Sequence, residues 1–233
     1  MTARPVAVPL TPAARALYRA GLIGALVTFA CAVAFQVLSA VHADVRLQPT
    51  DVPLPADAFL RPLNDRPEAV LSWMAFDTVF VVAYLTAFAA ARALAVSRTL
   101  GALSLGAMVT AGALDMVENA VLAVHAAQAW AAEPLTTAPT MTLYVVAQLK
   151  TAAATTGIAF LALALPAHDR MLRAAIVAAG AFVLVTVAGV ALPELAPVEA
   201  LPILLFTGLL AGVFTRRLKA GPLPDPATPA QAV

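Results

Sequence analysis

Six stretches of this chain are apolar for about 20 to 27 residues each, the run that an α-helix needs to cross a hydrocarbon core of ~30 Å. They read as spans at approximately 17–41, 69–95, 100–128, 139–166, 171–192 and 197–216. In lipid every backbone N–H and C=O must find a partner within its own segment or a closed barrel, so runs of this length fold as helices. No connection between them is long enough for a soluble domain. The expected fold is therefore all-α, a polytopic membrane helix bundle with six transmembrane helices. Residues 1–16 form an N-terminal segment and 17–217 the transmembrane domain. Residues 218–233 form a Pro-rich tail expected to be disordered.

Hydrophobic residues make up 62% of the chain and charged residues only 12%, which places it outside the range of soluble globular proteins. A net charge of +1 and the lack of any Lys/Arg block exclude nucleic acid as a partner. The partner implied first is the lipid bilayer. Cys31 is the only cysteine, so no intrachain disulfide can form. The Ala-rich, Lys-poor usage has the look of a bacterial chain, and the expected location is the cytoplasmic membrane.

Charge between the spans sets the orientation. Arg4, Arg15 and Arg19 lie before the first span or in its first turn, Arg92 and Arg98 flank the junction of the second and third, and Arg170 and Arg173 that of the fourth and fifth. Arg216, Arg217 and Lys219 follow the sixth. The 3–4 and 5–6 connections carry only Glu133, Glu194 and Glu199. In the 1–2 connection Arg46, Arg61 and Arg66 are offset by five acids. Both termini are thus expected in the cytoplasm. A competing reading takes Val41-His42-Ala43 as a cleavage site and residues 1–43 as a signal peptide, although the apolar run is long for one.

Residues 42–68 make the only long connection, expected to lack strong secondary structure and to act as a lid or lie on the outer leaflet. Asp65 is placed to cap the second span, with Pro67 in the first turn and Glu68 three residues on. Asp169 is placed to cap the fifth, beyond Pro166. Gly208 and Gly212 form a GxxxG pattern through which the sixth span could self-associate into a homo-oligomer.

The spans contain three carboxylates and a lysine. An ionisable group at membrane depth costs roughly 2.5–3.5 kcal/mol on insertion scales, so it usually has a partner or a task. On the third span Asp115, Glu118, Asn119 and His125 fall within an arc of about 120°, with Met108, Ala111 and Leu122 on the same stripe. Val117, Ala120 and Val124 lie opposite. The second span aligns Trp73, Asp77, Tyr84 and Phe88. Counted from the outer ends, Asp77 lies ~12 Å deep, Glu118 ~14 Å, Lys150 ~17 Å and Asp115 ~18 Å. Depth pairs Lys150 with Asp115 and leaves Asp77 near Glu118. Tyr144 and Gln148 lie at suitable depth on the fourth span, with Gln36 on the first as a further hydrogen-bonding group. Gln148, however, points about 160° from Lys150, so both faces cannot meet the third span equally.

Three acids against one lysine leave negative charge uncompensated unless a proton or a cation joins them. The function expected on this ground is proton- or cation-coupled transport of a small solute through an outward-facing site. That site would be built from Asp77, Asp115, Glu118, Asn119 and Lys150, with Tyr84, Tyr144 and Gln148. The alternative is a membrane-embedded enzyme acting on a lipid or isoprenoid, with Asp115 or Glu118 as acid–base group. A second alternative is an accessory or structural subunit whose polar network only packs helices. Membrane hydrogen bonds contribute about 0.6 kcal/mol each, which makes four ionisable groups excessive for packing alone. His125, Asp77 and Glu118 are weak metal candidates, since one histidine with acids on two helices is a poor ligand set. No metal and no other cofactor is expected, because metalloprotease, nucleophile-elbow and phosphate-loop motifs are all missing.

Overall fold

In a computed structural model of the protein the described residues are 10–44, 47, 54–132, 135–136, 140–192 and 200–220, and they are helical almost throughout. Residues 1–9, the tail from 221, most of the Pro-rich part of the 42–68 connection, and Glu133, Glu194 and Glu199 lie outside them. The helices are α1 (Pro12–Val41), α2 (Ala56–Asp65), α3 (Pro67–Ala91), α4 (Arg98–Trp130), α5 (Thr140–Ala164), α6 (Arg170–Ala191) and α7 (Ala200–Ala220). A 3₁₀ turn, Arg92–Leu94, prolongs α3. All but α2 are long and apolar enough to cross a membrane, which makes this a multi-pass membrane protein. Their outward faces are apolar too: Ile23, Leu26, Val82, Leu163, Val177 and Leu184 are largely exposed. An exterior of this kind belongs in hydrocarbon and not in water.

The spanning helices pack in the order α1, α3, α4, α5, α6, α7, and α7 returns to α1, so the six close into a ring. Tyr18 and Phe214 join α1 to α7, ring centroids 6.1 Å apart. Small residues set how closely the helices approach. A methyl on Gly24 of α1 would stand 2.6 Å from the Ala83 carbonyl oxygen and 2.9 Å from the Ala87 nitrogen, so the backbones of α1 and α3 nearly touch. Gly157 of α5 leaves room for Met108 of α4, and the Ser104 hydroxyl donates to the Gly157 carbonyl at 2.7 Å. On α7, Gly212 faces Met171 of α6 and Gly208 faces Phe29 of α1, so both glycines of the GxxxG pattern meet neighbours within the chain.

The 42–68 connection departs from expectation. It contains a full helix, α2, whose Phe59, Leu60 and Leu63 are buried. Alternating apolar and polar residues give α2 one wet face and one dry face, and the dry face seats against α3 and α4. Asn64 fastens it: Nδ2 donates to the Leu135 carbonyl at 3.2 Å, and Leu135 N donates to Asn64 Oδ1 at 2.9 Å. Asp65 does not cap the second span. It ends α2, and α3 starts from Arg66 with no side-chain cap, Pro67 holding the first position.

Two apolar clusters divide the bundle along its length. One, at the α2 end, holds Phe59, Leu63, Val70, Trp73, Leu122 and Leu143. The other, toward the termini of the chain, holds Phe88, Leu161, Leu172, Phe206, Leu210 and Phe214. Along α3 the first uses residues up to Met74 and the second begins at Val81; along α4 they are Leu122 onward and Met108. Asp77, Asp115, Glu118 and Lys150 all fall in the gap between these layers.

Asp169 does cap α6, as its position indicates. Oδ1 accepts from Met171 N at 2.7 Å and Leu172 N at 3.3 Å, and Arg216 of α7 pairs with the carboxylate at 3.2 Å. Partial burial tends to raise its pKa. The two backbone N–H groups and the charges of Arg216 and Arg217 outweigh that and hold it below its ordinary 3.8.

Two predictions follow from packing and capping. Gly24→Val destabilises the detergent-solubilised protein by about 2 kcal/mol or more, since backbone must move to admit the side chain. Gly106→Ala, with nothing within 4 Å of the new methyl, is neutral or stabilising in the same thermal unfolding assay. Because the folded-state pKa of Asp169 is depressed, its contribution is full above the ordinary value and is lost as pH falls below it. The stability advantage of the wild type over Asp169→Asn therefore shrinks as unfolding is followed from about pH 6 to below about 3.8.

Candidate functional site

α4 supplies most of the site. Its buried stripe runs Met108, Ala111, Gly112, Asp115, Glu118, Asn119 and Leu122, while Val117 and Val124 face outward. This is the face expected from helical spacing. α3 buries Trp73, Asp77, Tyr84 and Phe88 on one stripe, again as spaced. On α5 the stripe toward α4 is Leu143, Ala147 and Gly157, and Lys150 lies on it, three residues beyond Ala147. That resolves the ambiguity of the fourth span. The lysine face meets α4, and Tyr144 and Gln148, one residue further round the helix from Leu143 and Ala147, are half-buried.

Lys150 bridges two acids. Its Nζ lies 2.9 Å from Asp115 Oδ1 and 2.5 Å from Glu118 Oε2. The Glu118 side chain is fully buried, and those of Asp115 and Lys150 are 8% and 14% exposed. Depth alone joined Lys150 to Asp115; the structure adds Glu118. It also moves Asp77, which sits beside Asp115 and Asn119 instead of Glu118. Depth counting gives height in the membrane but no azimuth, and α3 presents Asp77 to the Asp115 side of α4.

The remaining polar groups define what is left over. Asp77 Oδ2 is buried without a hydrogen bond, as are both amide atoms of Asn119. Such atoms cost about 1–3 kcal/mol each when nothing partners them. Trp73 Nε1, one turn from Asp77, and Thr155 Oγ1 are in the same position. The Tyr84 hydroxyl rests against Gly112, where a methyl would come within 3.1 Å. With three carboxylates and one ammonium, the centre carries two excess negative charges if all four groups ionise.

His125 does not join this group. Its Nδ1 donates to the Val121 carbonyl one turn back on its own helix, at 2.7 Å. Among the described residues no three His, Cys, Asp or Glu side chains converge as metal ligands. Gln36 is exposed. Spacing did not reveal Phe35 of α1, which stacks on Trp73 at 4.6 Å and meets Phe80 edge-on at 5.6 Å. Phe80 in turn meets Tyr84 at 5.3 Å, so an aromatic ladder flanks Asp77. One phenylalanine in a uniformly apolar span carries no signal of its own.

The sequence leads to a site reached from the end bearing the 42–68 connection. Among the described residues, α2 and the cluster around Trp73, Leu122 and Leu143 lie between that end and the charges. The opposite cluster fills the other side.

No family model matches the chain, and no curated protein or solved structure matches it.

Removing one partner of a buried ion pair strands the other charge. Lys150→Met therefore costs about 3 kcal/mol or more, and adding Glu118→Gln to it recovers part of the loss. Thermal unfolding of the single and double variants measures both.

Proposed function

We propose that this protein is a proton- or cation-coupled carrier of a small solute, set in a bacterial cytoplasmic membrane with both termini inside. The charge pattern of the connections supports that orientation and would place α2 on the outer face. One observation carries the reading. Lys150 is occupied by Asp115 and Glu118, and beside them Asp77 keeps a buried carboxylate oxygen with no hydrogen bond. A centre with excess carboxylate and an idle acceptor is completed by a proton or a small cation.

The division of labour follows from the contacts. Lys150 acts as a fixed internal counter-charge that keeps Asp115 and Glu118 in place. Asp77 and Asp115, two acids side by side, share the exchangeable proton or cation, since neighbouring carboxylates titrate as a pair. Apolar layers on both sides keep the centre from short-circuiting the two aqueous phases. A packing network would have no use for the idle oxygen, because polar glue works by pairing its groups.

The test is charge movement across proteoliposomes on a solid-supported membrane, with solutes added from a panel. The wild type gives a transient whose sign reverses with an imposed pH or cation gradient. Asp77→Asn and Asp115→Asn each abolish it while the folded protein is recovered in normal yield. No transient with any solute, together with loss of stability in both variants, would leave packing as the role of the network.

A further inference from the structure

Between α3 and α4 the outer surface of the ring is indented by a groove of about 300 Å³. Leu71, Met74 and Thr78 line it from α3, and Met116 and Ala120 from α4. Met116 and Ala120 are exposed on the outside of the ring and Met74 forms the floor, so the groove opens sideways into the bilayer. Asn119 also lines it. Only 3% of that residue is exposed, and neither its amide nitrogen nor its amide oxygen makes a well-formed hydrogen bond, although the Asp77 carboxylate lies beside it. A buried amide without a well-formed hydrogen bond, facing an apolar groove, is a hydrogen-bonding position left for something that arrives along the groove.

Its chemistry can be read from what lies behind Asn119. Asp77 is the neighbour of Asn119 on the protein side, and its free Oδ2 belongs to the centre with excess negative charge. An anionic head would meet repulsion there. A protonated amine would donate to Asn119 Oδ1 and Asp77 Oδ2 together, in charge-assisted bonds. A volume near 300 Å³ lies at the small end of ligand pockets, enough for a head group and a short part of a chain.

We infer that the α3–α4 groove admits lipophilic amines from the bilayer, with the ammonium held by Asn119 and Asp77 and the alkyl chain lying along Met116 and Ala120. This deepens the carrier reading and rests on it: the amine and the coupling proton or cation compete for the same carboxylates. Binding and release then exchange one cation for another, so the buried centre never stands without a counter-charge.

The sequence provides its own reporter, since Trp73 and Trp130 are the only tryptophans. In Trp130→Phe, reconstituted in nanodiscs, Trp73 fluorescence is followed while decylamine, decanol or decanoate is added, with empty nanodiscs correcting for partitioning. Decylamine should give a saturable change with an affinity about tenfold or more above decanol, the worth of a charge-assisted hydrogen bond. Decanoate should give none. Ala120→Phe, which fills the groove at an exposed position without touching the acids, should weaken decylamine at least about tenfold. Asp77→Asn should erase the preference for amine over alcohol.

Equal response to all three amphiphiles, no saturable response, or undiminished binding by Ala120→Phe would each overturn the inference. The two proposals fail separately. Saturable amine binding with no change in internal pH or cation content on adding decylamine to proteoliposomes, beyond that seen with Asp77→Asn proteoliposomes, keeps the groove and removes the carrier. Gradient-dependent charge movement with other solutes, and no amine binding, keeps the carrier and removes the lipophilic amine as its substrate.

Discussion

The structure turns on a single ammonium group. Lys150 reaches from α5 to two carboxylates on α4, in a part of the chain where water cannot share the load. Taking such ions out of water costs several kcal/mol apiece, and only close, geometrically sound pairing offsets it. Once Lys150 is committed to Asp115 and Glu118, the angular position of α5 against α4 is set. The close contact of Gly157 with Met108 two turns away follows the same face. The third acid, Asp77, is then an acid without a lysine.

That arithmetic explains the layering. Charges that cannot be hydrated are tolerated where surrounding residues exclude both water and lipid, and the two apolar clusters do this from above and below. Along α3 and α4 small and flexible side chains leave the lateral groove at Asn119. The polar plane is thus shut toward both aqueous faces and thinly walled toward the membrane.

Much of this was legible beforehand, and for a physical reason. A charge in an apolar run is so costly that Asp77, Asp115, Glu118 and Lys150 announce themselves, and helical spacing alone puts Asp115, Glu118 and Asn119 on one face. Span lengths follow from bilayer thickness. What stayed hidden depends on rotation and on tertiary contact. Whether Lys150 or the Tyr144–Gln148 face meets α4 is a question of azimuth, which depth cannot answer. The helix α2, ten residues with Pro62 inside it and prolines around it, has little propensity to stand alone; it exists because Phe59, Leu60 and Leu63 have an apolar cluster to cover. For the same reason Asp65, a good cap on paper, was absorbed into the helix before it.

The two apolar clusters also differ in membership. The one toward the termini draws side chains from all six spanning helices. The one at the α2 end draws on α1, α2, α3, α4 and α5, and among the described residues on neither α6 nor α7. Leu172 of α6 and Phe206, Leu210 and Phe214 of α7 tie these two helices into the cluster shared by all six spans. Local stability follows buried contact, so the shared cluster is the last part of the bundle to open, and α2 protects a second, separate group of α1, α3, α4 and α5 side chains.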